Sequence, residues 1–102
     1  MIARAIEQAG MAGRIAVTGL STPNLMRDYI KDGTVKTITL WDPAKLGRLT
    51  ASVANMILHH QTLTDSMDIP GVGKVRVSNE HRTVIMGEPL DFTRENIDQY
   101  SF

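Results

Sequence analysis

Few residue groupings in this 102-residue chain could carry chemistry, and each suggests a different kind. Gly19-Leu20-Ser21-Thr22-Pro23 stands one residue away from the Gly-x-Ser-x-Gly corner that exposes a hydrolase nucleophile, because Pro23 occupies the place where a second glycine must allow a close turn. The only histidines, His59, His60 and His81, lie far along the chain, so Ser21 has no base nearby in sequence. Adjacent helical residues point about 100° apart, and no carboxylate or third histidine has suitable spacing. His59 and His60 are therefore read as the polar edge of a helix end and not as metal ligands. Gly71-Val72-Gly73 follows no strand and opens no helix, which makes it a turn and not a phosphate cradle. Asp91, Glu95 and Asp98 read as solvated charges on a final helix. The six methionines fall at core spacing and read as packing.

Trp41, the only tryptophan, has two open readings. It is either a core residue at a strand end or a flat apolar surface on which a small neutral ligand such as a sugar stacks. On the second reading Asp42, Ser21 and Thr22 are the polar groups at hand. For Asp42 and Thr22 the competing duty is helix capping alone.

These residues must be positioned by two strand-to-helix corners. Thr34–Thr50 reads as a buried strand (Val35, Ile38, Leu40) ending at Trp41 and turning into a helix through Asp42 as N-cap and Pro43 as first helical residue. Upstream, a strand over 15–19 turns at Leu20-Ser21 into a helix capped by Thr22 and begun by Pro23. That helix shows Leu25, Met26, Tyr29 and Ile30 on one face and stops at Asp32-Gly33. Strand, helix and strand form a βαβ unit, hence a parallel pair. The carboxyl end of such a strand, where Trp41 stands, is where open α/β sheets place ligands.

Before this unit, Ile2, Ala5, Ile6 and Ala9 share one helical face closed by Gly10 and Gly13. No N-cap precedes it, and the segment reads as the tail of a helix in a longer natural chain. The longest helix is predicted over 43–61, with Leu46, Leu49, Val53, Met56 and Ile57 as its main stripe. Ala51, Ala54 and Leu58 widen the stripe, so burial on more than one side is expected. Residues 62–73 read as a loop. The runs 74–77 and 83–86 form a hairpin around Ser78-Asn79-Glu80-His81, and 91–100 a short helix capped by Thr93.

Composition narrows the classes further. Eleven basic and eleven acidic residues cancel, so bulk electrostatics favours neither nucleic acid nor an anionic membrane. Without cysteine there is no thiolate catalysis, Cys-ligated metal or disulfide. No apolar run approaches the roughly 20 residues needed to cross a bilayer, and Met1-Ile2-Ala3-Arg4 lacks the pattern of a secretion signal. Nothing calls for a cofactor.

Several stretches, in order, carry a resemblance that no single motif does: Ala5-Ile6-Glu7-Gln8-Ala9-Gly10, Val17-Thr18-Gly19-Leu20-Ser21-Thr22-Pro23-Asn24-Leu25-Met26-Arg27, Tyr29-Ile30-Lys31-Asp32-Gly33, Leu40-Trp41-Asp42-Pro43 with Leu46-Gly47, and residues 87–97. Together they resemble the carboxyl-terminal third of type I periplasmic sugar-binding proteins of ABC importers, in the rhamnose-type or autoinducer-2-type branch. The resemblance implies an α/β fold: a partial parallel sheet with flanking helices from the carboxyl-terminal lobe, plus a β-hairpin and a short terminal helix. It implies a single partial domain over 1–102, with 1–41 as the βαβ segment, 42–63 as a helix belonging to the opposite lobe, and 64–102 as hairpin and terminal helix. It further implies a non-enzymatic, periplasmic protein that closes on a small sugar by hinge motion and delivers it to an ABC permease. Ser21 stands where the ribose-type pattern has an acidic residue, and Trp41 where it has an amide. Both departures point away from ribose, toward a deoxy-sugar or a small furanose-like ligand. A fragment of this kind is expected to bind sugar weakly and, with unpartnered strand edges and apolar faces, to form homo-oligomers. The competing readings are a small self-associating α/β module that uses helix 43–61 without binding sugar, and a small hydrolase built on Ser21.

Overall fold

The computed structural model describes all residues from Met1 to Phe102. They divide into two compact units: Met1–Leu40 together with Leu90–Phe102, and Trp41–Pro89.

The first unit is a mixed three-stranded sheet with strand order β1-β2-β6, in which β1 is Thr18–Leu20, β2 is Thr37–Leu40 and β6 is Leu90–Phe92. β1 and β2 run parallel, Gly19 opposite Ile38, as the βαβ reading requires. β6 returns antiparallel to the other side of β2 and sets Phe92 opposite Ile38. Helix α1 (Ile2–Gln8) precedes the sheet, and α2 (Pro23–Lys31) bridges β1 and β2. The core gathers Ala3, Met26, Ile30, Val35, Ile38, Phe92 and Ile97. Phe92 is fully buried and meets Tyr100 and Phe102 edge-to-face, with ring centroids 4.8 and 5.9 Å away. Burial of a side chain this size contributes about 1.5–3 kcal/mol.

The chain's end is tied to α2. Arg27 donates from Nη2 to the carbonyls of Ile97 and Tyr100, and Asn24 N–H donates to Phe102 O at 3.0 Å. Asp98 accepts Lys31 Nζ at 2.8 Å and lies 3.4 Å from Arg27 Nε.

In the second unit α3 (Pro43–Leu58) packs on an antiparallel sheet of β3 (Ser66–Ile69), β4 (Gly73–Ser78) and β5 (Thr83–Ile85), in that order. Leu49, Ile69 and Val75 form its core, with Val53, Met56, Met67 and Val84 packed around them. The β4–β5 hairpin lies where the sequence places it. No helix is long and apolar enough to cross a membrane.

Several expectations change. The first strand pairs over Thr18–Leu20, and Ile15 makes only an isolated bridge to Ala12. In α1 the buried residue is Ala3, while Ile2 stays 71% exposed, so the expected stripe is not the packed face. Leu49 is the only fully buried residue of α3, and Leu46, Ile57, Leu58, Ala51 and Ala54 are exposed: one sheet covers one side of a helix. Residues 66–69, read as loop, are a strand whose Met67 and Ile69 pair with Val75 and Gly73. The terminal helix shrinks to a single 3-10 turn, Ile97–Gln99, and Asp91 and Phe92, expected in it, belong instead to the strand that completes the ladder on β2.

Helix ends follow local chemistry. α1 ends with Gly10 at φ 68, Gly10 N–H on Glu7 O and Met11 N–H on Ile6 O, the paired closure that favours glycine. α3 ends in the same way, with His60 N–H on Ile57 O and Gln61 N–H on Met56 O. Here, however, the left-handed residue is His60 at φ 54.

Candidate functional site

Trp41 follows β2 directly and begins the second unit. It is 39% exposed, so it is not a core tryptophan. Its ring is nonetheless fixed: Nε1 donates to the Gly87 carbonyl at 2.8 Å. The backbone after it is fixed as well, because Asp42 Oδ1 accepts Ala44 N–H at 2.9 Å and Lys45 N–H at 3.2 Å. Asp42 therefore caps α3, as its place before Pro43 predicts, and the cap complements the positive end of the helix. The result is a partly exposed indole held at its edge and at its backbone.

Ser21 and Thr22 lie in the first unit, half-buried at the β1–α2 corner. Thr22 occupies the N-cap position in extended conformation (φ -85, ψ 149), but its side chain makes no cap hydrogen bond; the capping expected of it is positional only. Pro23, buried, holds the first helical position, where no N–H is required. Ser21 lines an open cavity of about 210 Å³ with Ile2, Val17, Leu20, Met26 and Ile38. The cavity is mainly apolar and smaller than the roughly 300–1,000 Å³ of pockets that enclose a drug-sized ligand. It suits a methyl group or a ring edge better than a whole molecule.

Each pair of residues is thus assembled within its own unit, Trp41 with Asp42 and Ser21 with Thr22. No histidine lies in the unit that carries Ser21, so the unit supplies no imidazole to activate it. His59 Nδ1 is 2.8 Å from Asn55 O at the end of α3, the polar helix edge expected of it. No group of three or more His, Asp or Glu side chains is placed to hold a metal ion.

Two features had little signal in the sequence. The Gly87 carbonyl that orients Trp41 is 46 residues away and is backbone, so no side-chain type announces it. Thr39 Oγ1 donates to Asp91 Oδ1 at 2.6 Å on the exposed side of the sheet, a cross-strand pair created by the β2–β6 register. Assigning Asp91 to a helix hides that pairing.

Residues 1–62 match the model of a periplasmic binding protein domain. Nearly the whole chain is similar to solved structures, two of which are the following. One is described as a sugar ABC transporter from Actinomyces odontolyticus, 35% identical over 98% of this chain and 33% of that one, with a TM-score of 0.77. The other is LsrB from Clostridium saccharobutylicum in complex with AI-2, 27% identical over 98% of this chain and 36% of that one, with a TM-score of 0.73. The chain spans about a third of the length of the structures it matches.

Proposed function

The chain belongs to the periplasmic binding protein family, and on that premise we propose that it is the carboxyl-terminal part of the substrate-binding component of a carbohydrate ABC importer. The observation that carries this reading is the end-to-end similarity to a structure described as a sugar ABC transporter. The partly exposed, pinned Trp41 supports it from the side of chemistry, since indole faces stack on the C–H faces of sugars.

The proposed ligand is rhamnose or a similar small sugar. The AI-2 bound to LsrB keeps a small furanose-like molecule as the second candidate. Trp41, Ser21, Thr22 and Asp42 are the proposed contact residues, with Asp42 offering its second carboxylate oxygen beside its cap. The proposed setting is the periplasm, the proposed partner an ABC permease, and the role is binding rather than catalysis. The division of the chain into units between Leu40 and Trp41 supports the proposal that 42–63 belongs to a different lobe from the segment before it, with Trp41 on the side of 42–63.

A cleft protein gains affinity by enclosing its ligand. These 102 residues therefore bind sugar weakly, and the full-length protein binds it tightly. Isothermal titration with L-rhamnose and AI-2, in both lengths of chain, tests this: heat of binding from either ligand in the full-length protein is expected, and none from either overturns the reading.

A second reading, self-association of the chain by itself, is favoured by the exposed Leu46, Ile57 and Leu58 on α3. Sedimentation showing a dimer or larger species supports it, and a strict monomer at high concentration removes it.

A further inference from the structure

We propose that β5 is a pairing edge for a second copy of this chain: two copies join their β5 strands antiparallel about a two-fold axis at Ile85, so that Arg82 of each meets Glu88 of the other. The inference rests on the self-association reading above and gives it the edge of the second sheet in place of the exposed face of α3.

Two three-stranded sheets leave four edges, and three of them are guarded or weak. β3 holds Asp68 and is followed by Pro70, which has no N–H to give. β6 holds Asp91, whose carbonyl already accepts Asn96 Nδ2 at 2.9 Å. β1 has Gly19 at its middle, which brings no side chain to a pair. β5, Thr83–Ile85 with Met86 after it, contains no charge, proline or glycine. It is the open edge.

The ladder decides which backbone groups that edge presents. Val77 N–H turns away from β5 and donates to Asp65 O at 2.9 Å, so its neighbours Arg76 and Ser78 turn toward β5, where they face Ile85 and Thr83. Val84, opposite Val77, therefore points its N–H and C=O outward, and Met86 continues the alternation. Gly87 still lies beside the Lys74 carbonyl, as the register requires. No backbone or side-chain group of the chain bonds the outward groups of Val84 and Met86.

The register of the pair follows from the same alternation. Facing residues of an antiparallel pair turn their backbone groups alike, both toward each other or both away, so a two-fold pairing is centred on a residue and not between residues. Centring on Thr83 runs the ladder into the turn at 78–81, and centring on Met86 runs it into Pro89. Centring on Val84 sets Glu80 against Glu88, like charges that repel. Centring on Ile85 sets Val84 against Met86 and Arg82 against Glu88, once on each side of the axis. Both charges are available, because the ion pairs of the chain, Asp98 with Arg27 and Lys31, leave Arg82 and Glu88 out. Ile85, 51% exposed, then meets its own copy at the axis, where side chains approach closely.

A ladder over 82–88 is about 24 Å long at roughly 3.4 Å per residue, and it covers less than the roughly 800 Å² per partner of a stable complex. The dimer is accordingly weak, with a Kd on the order of 100 μM.

Sedimentation equilibrium of the 102-residue chain up to about 1 mM reads it. Arg82→Glu and Glu88→Arg, both at exposed positions, are each expected to raise the Kd at least about fivefold, and the two together to return it to within about twofold of the unchanged chain. Ile85→Lys is expected to leave monomer only, and Leu58→Glu on α3 to leave the dimer unchanged. By amide exchange, the Val84 and Met86 N–H groups are expected to slow as concentration rises. Single charge variants that associate like the unchanged chain, a double variant as weak as the single ones, or a dimer lost with Leu58→Glu and kept with Ile85→Lys overturns the inference and leaves self-association standing. A chain that stays monomeric throughout that range removes the self-association reading, and the inference falls with it.

Discussion

His60 closes α3 in a conformation that suits glycine, and relieving it should stabilise the second unit. At φ 54 the residue sits in the left-handed region, where an L side chain costs roughly 1–2 kcal/mol. The position is exposed, and the closing bonds, His60 N–H to Ile57 O and Gln61 N–H to Met56 O, are backbone bonds that a substitution leaves in place. His60→Gly removes the strain but loosens the unfolded chain by about 0.4–1 kcal/mol. The net expectation is a gain of about 0.5–1 kcal/mol. Trp41, the sole tryptophan, lies in the same unit, so urea unfolding followed by its fluorescence reads that unit. With a urea slope near ~1 kcal/mol/M for so small a unit, the midpoint should rise by about 0.5–1 M. His60→Val should move it the other way by more than about 1 M, since a β-branched residue is still less at ease there. A His60→Gly midpoint at or below that of the unchanged chain, or a neutral His60→Val, would refute the assignment of strain to this residue.

Other substitutions test other links. Arg27→Met strips the donors from the Ile97 and Tyr100 carbonyls and should cost about 1–3 kcal/mol. Asp98→Asn weakens the exposed pair with Lys31 and the longer contact with Arg27 Nε, and should cost less than about 1 kcal/mol; equal effects in urea unfolding would contradict that ranking. Gly71→Ala places a Cβ against the Arg48 side chain at φ 77. Arg48 can move but the backbone cannot, so a loss of about 1–2 kcal/mol should persist when Arg48→Ala is made as well. Rescue by Arg48→Ala would show that the collision dominates. Hydrogen bonds from Thr34, its hydroxyl first and then its backbone N–H, hold the Asp32 carboxyl below the usual aspartate range. A carboxylate with a depressed folded pKa stabilises the fold above its unfolded pKa of about 3.9, and that contribution disappears as pH falls through the lower folded value. The advantage of the unchanged chain over Asp32→Asn should therefore be full at neutral pH and fade below about pH 4, and a constant difference across urea midpoints at those pH values would count against the ionised form as its source.

The corners were legible because their signals are local. Asp42-Pro43 and Thr22-Pro23 each state a strand end, an N-cap position and a first helical residue within a few letters, and both helices begin there. What the letters do not carry is partnership. Thr22 has the capping residue type but makes no cap bond. Leu90-Asp91-Phe92 becomes a strand because β2 has an open side to pair with, and a ladder of that kind takes Asp91 and Phe92 out of the helix expected over 91–100. Ser66-Met67-Asp68-Ile69 alternates over only four residues, too few to stand out from the polar stretch before it. The breadth of the apolar surface on α3 is visible in sequence, whereas the side that the sheet covers is set by Leu49, Val53 and Met56 meeting Ile69 and Val75. For the site, the type of Trp41 suggested a ligand surface, and the Gly87 carbonyl that orients it could be found only in the fold.

The most direct test of the account is a fluorescence titration of Trp41 with L-rhamnose in the full-length protein and in this 102-residue chain. The account predicts a saturable change in emission, at micromolar sugar in the full-length protein and at far higher concentrations in the shorter chain. No change in either would contradict it, and would leave Trp41 as a surface residue whose pinned ring serves the fold and not a ligand.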